Sequence, residues 1–240
     1  MYELLDVQAI FTNMPKILSR LPVTLGVTFG AMLVSTAIGL TIALIKVYKV
    51  PVIRHMAGFY VSFIRGTPLL VQLYLVYYGV PRFFDYLYRA HGWFGQINFN
   101  LIPPVAFAVG AFAVNLGAYL SETIRSAIET VDRGQFEAGI SIGLTRGQLM
   151  RKVILPQALL GILPNYGNTL ISTVKDTSLI FMISVVDIMG QSQIIGARTL
   201  KFFEVYISVS IIYWLTCILL ARILSELEKR ARVYERKLVE

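Results

Sequence analysis

Six polar residues stand inside or beside otherwise apolar stretches of the sequence. In chain order they are Arg65, Thr67, Asn115, Glu122, Asp176 and Thr177. Their carboxylate and amide oxygens can accept hydrogen bonds from an ammonium group, and their guanidinium and hydroxyl groups can donate to a carboxylate. Polar groups are costly inside a membrane and usually face a cavity or one another. The set therefore predicts either a polar cavity or a group of contacts between helices.

Four of these residues have an alternative role in holding helices together. Arg65 can pair with a carboxylate, and Asn115 can form a hydrogen bond between helices. Glu122 precedes Arg125 by three residues, which is the spacing of a salt bridge on one helix face. Asp176 follows a lysine and can form a self-compensated pair at a helix end. The sequence leaves these alternatives open beside the cavity.

Long uncharged stretches indicate helices that cross a membrane. The chain is 56% hydrophobic and 15% charged, with a mean hydropathy of +0.66, whereas soluble domains carry about 25% charged residues. About 20 apolar residues span a bilayer as a helix, and each central Lys, Arg or Asp adds about 2.5–3.5 kcal/mol against insertion. We therefore expect an all-α integral membrane protein. Its uncharged stretches are 21–45, 92–121, 153–174 and 205–221.

Five membrane crossings fit this apolar pattern. The second contains a break at the sequence RGTP, 65–68, and the fourth begins at Pro156 and contains a break at LPNYGN. The following apolar stretch is divided by Asp187 and Gly190, so we expect it to be re-entrant or peripheral. The other three crossings cover about 21–46, 101–128 and 204–222.

The distribution of positive charge predicts the orientation of the chain. Fourteen Lys and Arg residues fall in two connections and the C-terminal tail, and seven fall on the opposite side. The richer side is expected in the cytoplasm, so the charge excess reflects topology and not nucleic-acid binding. The N-terminus is then outside and the C-terminus inside. The expected parts are an extracytoplasmic segment 1–20, a transmembrane domain 21–222 and a cytoplasmic basic tail 223–240.

A polar segment, RGQFEAGISIGLTRGQLMRKVILPQ at 133–157, lies between two apolar stretches and predicts two short helices. Asp132 and Thr145 each stand at a helix start, with a glutamine three residues later. Gly143 suits the left-handed residue that ends the first helix, before the chain continues at Leu144. The alternative is an ordinary loop with fortuitous caps, but two consecutive helices favour a docking surface.

This segment resembles the EAA loop in the membrane subunits of ABC importers. Glu137 and Ala138 are followed by Gly143 six residues after the glutamate and by VILP at 153–156. Gly139 replaces the usual second alanine.

Further stretches resemble the permeases for polar amino acids, which import histidine, glutamine, arginine or cystine. One stretch, SQIIGARTLKFFEVYISVSIIYW at 192–214, is similar to the cystine-uptake members. The others are FIRGTPLLVQLYLVYYG at 63–79, AYLSETIRSAI at 118–128 and VKDTSL at 174–179.

The resemblance implies a fold of five transmembrane helices of the ABC type I importer kind, in the cytoplasmic (inner) membrane of a bacterium. The loop at about 129–152 would hold a cytoplasmic coupling helix that contacts a separate ATPase. The six polar residues named first would belong to the pathway of a polar L-amino acid, with L-cystine the best match. The implied coupling residues are Glu137, Ala138, Gly139, Gly143, Leu144 and Pro156.

The implied partners are two ATP-binding cassette subunits, an extracytoplasmic solute-binding protein, membrane lipid and a second permease, in a homodimer or a heterodimer. The sequence contains no Gly-Lys dipeptide and therefore no P-loop. We accordingly expect a transport subunit without a cofactor and without an ATPase site of its own, so ATP would be hydrolysed by the partner.

Two other functions are alternatives to this one. A secondary transporter driven by an ion gradient is the main alternative, but it would need inverted repeats, and neither half of the chain resembles the other. A membrane-embedded hydrolase is disfavoured because His55 and His91 are the only histidines and fall on opposite predicted sides of the membrane.

Overall fold

The computed structural model describes residues 5–95 and 97–239, with side chains described as far as Ala231. Residues 1–4 of the predicted N-terminal segment and residue 240 of the predicted tail therefore lie outside the described residues. The described chain is helical, which confirms the all-α prediction. Its helices are α1 Val7–Leu18, α2 Leu21–Val47, α3 Ile53–Arg65, α4 Leu69–Tyr74, α5 Val80–His91, α6 Pro104–Thr130, α7 Arg133–Ser141, α8 Arg146–Leu149, α9 Leu155–Asp176, α10 Ile188–Thr199 and α11 Phe202–Val239.

Short irregular helices join several of these elements. A π-helical turn, Leu75–Gly79, connects α4 to α5, and another, Met150–Ile154, connects α8 to α9. A 3₁₀ helix, Thr177–Ile183, follows α9 directly, and a smaller one, Phe99–Leu101, precedes α6. These turns keep the backbone hydrogen-bonded where the regular helices end, as an apolar surrounding requires.

Among the described residues, three helices are each long and apolar enough to cross a membrane: α2, α6 and α11. Two further spans are possible as bent pairs, which gives the five that the sequence predicts. In one, α3 meets the continuous helix 69–91 at an angle of 109°. In the other, the helix that includes α9 meets α10 at 53°.

The predicted break at LPNYGN is wrong, because α9 runs without interruption through Pro164. A proline removes one backbone hydrogen bond, but membrane helices tolerate it where neighbouring helices support the chain. One such support is the hydrogen bond of 2.9 Å between the hydroxyls of Tyr166 on α9 and Thr36 on α2. The change of direction falls later, where Asp187 accepts a hydrogen bond from Gly190 N at 2.8 Å and caps α10.

The centre of the fold is the parallel packing of α2 against α6. Gly30 lies beside Val109, and nine residues later Gly39 lies beside Leu120, so both helices advance in the same direction. A Cβ atom on Gly39 would stand 2.9 Å from the Leu120 Cβ and 3.1 Å from the Ser121 backbone nitrogen. Glycine is therefore required there by close approach, as is common where membrane helices pack tightly.

The N-terminal helix α1 packs against α10 and α11. Its Ile10 and Ile17 are buried, and the Ser208 hydroxyl on α11 donates to the Ile10 carbonyl at 2.8 Å. Asp6 caps α1, and its hydrogen bond from Lys201, together with one from a backbone N–H of α1, lowers the pKa of its carboxyl. The predicted amphipathic segment is thus attached to the bundle along one face.

The last helix, α11, continues past the predicted end of the membrane domain at 222 and includes most of the basic tail. The tail is therefore a helical extension of a span. In its described part, Arg230 and Glu226 form an ion pair at i, i+4, which supports a helix in water by a few tenths of a kcal/mol.

Substituting Gly39 tests the close packing of α2 and α6. Gly39→Val is expected to lower the free energy of unfolding by about 1–3 kcal/mol, because the added methyl groups overpack the interface. The control is Gly26→Val, which adds the same side chain to α2 at a position with no described atom within 4 Å. Thermal unfolding of the purified variants in detergent measures the difference, and equal losses for both variants would contradict the packing role of Gly39.

Candidate functional site

A cavity of about 720 Å³ opens between the α3–α4 break, α6 and α9. Five of the six predicted polar residues line it: Arg65, Thr67, Asn115, Glu122 and Asp176. The structure thus brings together side chains that are up to 111 positions apart in the sequence.

Thr177, the sixth predicted residue, lies outside the cavity lining. Its side chain is fully buried, and its hydroxyl donates to the Val174 carbonyl at 2.7 Å. This contact occupies the hydroxyl at the junction of α9 with the following 3₁₀ helix. Thr177 is the C-cap residue of α9.

A polar stripe on α9 forms the facing wall of the cavity, and the sequence predicted only Asp176 among its residues. The spacing of these residues is i, i+3, i+4, i+7, i+8 and i+11, which places them on one helix face. That periodicity inside an apolar span was the available signal. The stripe consists of Asn165, Asn168, Thr169, Ser172, Thr173 and Asp176.

Arg65 presents its guanidinium to the cavity from the end of α3. The guanidinium lies over the Tyr119 ring, 5.4 Å from the ring centroid, which is a cation–π contact. Within the described part of the chain it forms no ion pair with a carboxylate. The alternative in which Arg65 pairs with a carboxylate to hold helices together is therefore not observed among the described residues, and its hydrogen-bond donors remain available to a ligand.

Glu122 is neutralised by two basic residues. Its carboxylate pairs with Lys46 on α2 and with Arg125, one turn along α6, at 2.9 Å. Arg125 also reaches Glu129, which extends the group to four charges. The sequence offers the salt bridge with Arg125 as an alternative role for Glu122. The salt bridge with Lys46 could not be predicted, because it forms only when α2 packs on α6. Asp176, by contrast, makes no ion pair among the described residues.

A buried carboxamide pair joins α4 to α6 beside the cavity. Asn115 Nδ2 donates to Gln72 Oε1 at 2.9 Å, which is the interhelical hydrogen bond weighed as the alternative for Asn115. Gln72 Nε2 donates in turn to the Ile64 carbonyl at 2.8 Å and to Thr67 Oγ1 at 2.7 Å. The sequence reasoning missed Gln72, although it is a single polar residue in the apolar run LLVQLYLV.

A second cavity, of about 420 Å³, continues from the first along α6 and α9. The two cavities share Thr123 and Asn165, and the second ends beside Asp132, the residue that precedes α7. Its other polar lining residues are uncharged: Ser126, Thr130 and Gln157. A polar path therefore runs from Arg65 and Asp176 to the segment that contains α7 and α8.

Of the two short helices predicted at 133–157, the first is present as α7, whereas the second, α8, is the first turn of a continuous helix that runs to Ile183. Thr145 and Gln148 form the predicted reciprocal cap, with hydrogen bonds of 3.3 and 3.0 Å. Gly143 adopts a φ of +81° between the helices, a conformation that glycine adopts without strain. Asp132 caps α7 by accepting from Gly134 N at 2.6 Å, two residues ahead and not three as the sequence suggested.

The outward face of α7 combines a charge with apolar surface. Glu137 and Ala138 are exposed, and beside them Ile140 and Ile142 are 59% and 77% exposed. Such exposed apolar groups beside a charge are typical of a surface that contacts another protein.

The inward face of the same segment explains the glycine where alanine is usual. Gly139 is buried, and an added Cβ would overlap the Leu149 side chain and approach Leu144. Leu144 belongs with Leu149 to the apolar cluster beneath α7. Pro156 lies in the first turn of α9. Of the predicted coupling residues, Glu137 and Ala138 thus face outward, whereas Gly139 and Leu144 support the helix from below.

A family model, described as the binding-protein-dependent transport system inner membrane component, matches residues 35–233 of the chain. The chain belongs to this family. The permease resembles the L-cystine transport system permease protein TcyL of Bacillus subtilis (strain 168), with 37% identity over 239 residues that cover 100% of this chain and 97% of TcyL. It is 36% identical to the probable amino-acid permease protein YxeN of the same organism, over 95% of this chain and 96% of YxeN.

A solved structure gives the same result for the fold. The crystal structure of an amino acid ABC transporter with histidines has 37% sequence identity and a TM-score of 0.82, covering 95% of this permease and 100% of that chain. The protein is a multi-pass inner-membrane permease subunit of an ABC importer for amino acids. The ion-gradient alternative therefore has no support.

Removing the Glu122 carboxylate tests the charge group in this site. Glu122→Gln is expected to lower the free energy of unfolding by about 1–3 kcal/mol, because hydrogen bonds to charged groups are lost and Lys46 and Arg125 are left without their shared partner. Thermal unfolding in detergent measures the loss. The matched control, Glu226→Gln, removes an exposed pair with Arg230 and should cost less than about 1 kcal/mol. A loss in Glu122→Gln no greater than in this control would contradict the assignment.

Proposed function

We propose that the permease moves a polar L-amino acid, L-cystine, through the cavity that contains Arg65 and Asp176. The observation that supports this is the convergence on one cavity of a guanidinium and a carboxylate that have no ion-pair partner among the described residues. A zwitterion needs both kinds of group. Glu122 contributes to the wall but is already neutralised by Lys46 and Arg125.

The guanidinium of Arg65 binds a substrate carboxylate in this proposal, and Asp176 binds an ammonium group. The α3–α4 break adds donors, because α4 begins at Leu69, beside the cavity, and the first N–H groups of a helix are unpaired and carry partial positive charge. Thr67 and the amides of α9 supply uncharged hydrogen bonds. This arrangement matches the half-helix ends at the substrate sites of membrane transporters.

The choice of cystine rests on the relatives and on the charge of the cavity. TcyL and TcyB of Bacillus subtilis, named as L-cystine permeases, are 37% and 40% identical to this chain. The putative glutamine permease of Rickettsia typhi is 35% identical, and the nopaline permease of Agrobacterium fabrum is 33% identical. Cystine has two ammonium and two carboxylate groups with no net charge, and the amides and hydroxyls of the α9 stripe can bond to it without favouring either sign.

Energy for transport comes from outside the chain in this proposal. The outward face of α7, with Glu137, Ala138, Ile140 and Ile142, enters a cleft in an ATP-binding subunit. Two such subunits close on ATP and move the coupling helices, which turns the spans from outward- to inward-facing. A solute-binding protein delivers the substrate, and a second permease, either this chain or a similar one, completes the membrane part.

The orientation follows from the same assignment. Residues 1–20 lie outside, 21–222 form the membrane domain, and 223–240 lie in the cytoplasm. With α7 on the cytoplasmic side, the second cavity leads from the substrate site to the cytoplasmic surface. This direction agrees with the greater number of Lys and Arg residues near α7 and in the tail.

Charge reversal at Glu137 tests the docking of the ATPase. A tagged Glu137→Arg permease should retain about tenfold less of the ATP-binding subunit than the wild type, because a like-charge or unpaired contact in an interface costs several kcal/mol. Pull-down from detergent-solubilised membranes with mass spectrometry of the bound proteins gives the measurement. Glu226→Arg, the same reversal at an exposed site on α11, is the control. Full retention by Glu137→Arg would remove α7 as the docking helix.

Substrate recognition is tested by uptake of L-cystine into proteoliposomes that contain the permease, the ATPase and the binding protein. Arg65→Gln and Asp176→Asn should each reduce ATP-dependent uptake about tenfold or more, because a hydrogen bond to a charged group contributes about 1.5–3 kcal/mol. Arg54→Gln, which removes an exposed charge outside the cavity, should leave uptake unchanged.

The same assay decides the identity of the substrate. An excess of unlabelled L-glutamine should not compete with L-cystine. If glutamine competes fully, or if the two cavity variants transport normally, the assignment of cystine or of the cavity is wrong.

A further inference from the structure

The carboxamide pair of Gln72 and Asn115 has a fixed orientation that determines one chemical property of the cavity. Both side chains are nearly enclosed, with 5% of Gln72 and 7% of Asn115 exposed. Gln72 lies in α4, just after the helix break, and Asn115 lies in the middle of α6 and lines the cavity. The pair therefore connects the break to the cavity wall.

Backbone carbonyls determine which end of the Gln72 amide faces the break. Gln72 Nε2 donates to the Ile64 carbonyl at 2.8 Å and to the Thr67 carbonyl at 3.0 Å. Carbonyl oxygens only accept hydrogen bonds. The reverse orientation would place Gln72 Oε1 against two oxygens and leave both without a donor, so the amide nitrogen must face the break.

The orientation of Gln72 then determines that of Asn115. Since Gln72 Oε1 faces α6, only the nitrogen of Asn115 can bond to it, as it does at 2.9 Å. Asn115 Oδ1 accepts no hydrogen bond from the described residues. In the described part of the chain, Thr24 Oγ1 is the one side-chain oxygen that is both fully enclosed and without a hydrogen-bond partner. Asn115 Oδ1 has no partner either, so it is not fully enclosed. Asn115 Oδ1 is therefore accessible, and the cavity is the space that Asn115 lines.

We infer that Gln72 is a positioning residue that directs Asn115 Oδ1 into the cavity as a neutral acceptor for an ammonium group of the substrate. This rests on the proposed function, because it assumes that the cavity receives an amino acid. A neutral acceptor adds a hydrogen bond to the ammonium without adding charge. It therefore favours a ligand with an amino group over one without it, and does not favour ligands with a net positive charge.

The same side chain also holds the break in place. Gln72 bonds to Ile64 and Thr67, which flank Arg65 and Gly66. Gln72 thus sets the position of the proposed carboxylate-binding residue as well as that of the proposed ammonium acceptor, and it does so without lining the cavity itself.

The amide pair is tested first without any substrate. Gln72→Met and Asn115→Leu remove the two partners with little change in volume. Each variant should lower the midpoint of thermal unfolding of the permease–ATPase complex in detergent. The double variant should lose clearly less than the sum of the two, since contacting residues couple and distant ones add. Additive losses would overturn the pairing.

The direction of Asn115 is tested with two ligands that differ in the amino groups alone. L-cystine and 3,3′-dithiodipropionic acid share the disulfide and both carboxylates, but the second has no ammonium groups. Binding of each to the purified permease–ATPase complex is measured without the solute-binding protein. The wild type should prefer cystine by about tenfold or more, because a site built to bond a polar group rejects the analogue that lacks it.

The variants should reduce this preference in a specific way. Asn115→Leu should weaken binding of L-cystine about tenfold and leave binding of 3,3′-dithiodipropionic acid unchanged. Gln72→Met should reduce the same preference, since Asn115 is then free to rotate. An equal loss for both ligands in Asn115→Leu would show a structural role and overturn the inference.

Failure of the proposed function gives a different result. If wild type binds L-glutamine and not L-cystine, the cystine assignment fails, and glutamine with its deaminated analogue, glutaramic acid, tests Asn115 in the same way. If wild type binds neither amino acid, the cavity is not the substrate site and the role of Asn115 as an ammonium acceptor falls with it. The thermal measurements still decide the pairing in that case.

Discussion

The structure depends on the satisfaction of backbone polar groups inside an apolar environment. The break between α3 and α4 leaves carbonyls of Ile64 and Thr67 without their helical partners, and a single amide, that of Gln72, bonds to both. Without such a bond each exposed carbonyl would cost several kcal/mol in hydrocarbon. The break places Arg65 and the start of α4 at the cavity. The position of Arg65 at the cavity is therefore a direct consequence of one hydrogen-bonding group, the Gln72 amide, on the next turn.

Charge is distributed along the polar path according to the same constraint. Near the α7 end of α6, Glu122 and Arg125 form a salt bridge. Glu122 also pairs with Lys46, and Arg125 also pairs with Glu129, so the four charges form one group. Further into the span, Arg65 and Asp176 have no ion-pair partner among the described residues, and the polar groups around them are hydroxyls and amides beside apolar Leu69 and Leu116. Uncompensated charge in an apolar span is tolerated where it lines a cavity. The paired charges around Glu122 are thus separate from Arg65 and Asp176, which are open to a ligand.

The path between α6 and α9 ends at the base of α7, so the cavity and α7 are parts of one connected structure. Asp132 lines the end of the second cavity and caps α7, and Gln157 of α9 bonds to Gln135 of α7 at 3.5 Å. Gly139 permits α7 to lie directly on Leu149. Leu149 is the last residue of α8, and the chain continues from it through a π-helical turn into α9. A displacement of α7 would therefore reach the polar stripe of α9 through continuous helix.

The sequence by itself determined the features that depend on neighbours along the chain. It predicted the apolar spans from composition alone. It also predicted the cap formed by Thr145 and Gln148 and the left-handed Gly143, and it offered the ion pair of Glu122 with Arg125 as an alternative, because each of these involves residues within about one helical turn. Only the tertiary structure decided which distant residues meet. The bond of Lys46 with Glu122 joins residues 76 positions apart, and that of Gln72 with Asn115 joins residues 43 positions apart. The hydrogen bond of Tyr166 with Thr36, close to Pro164 in the uninterrupted α9, joins residues 130 positions apart. Those partners are selected by helix packing, for which spacing along one helix contains no information.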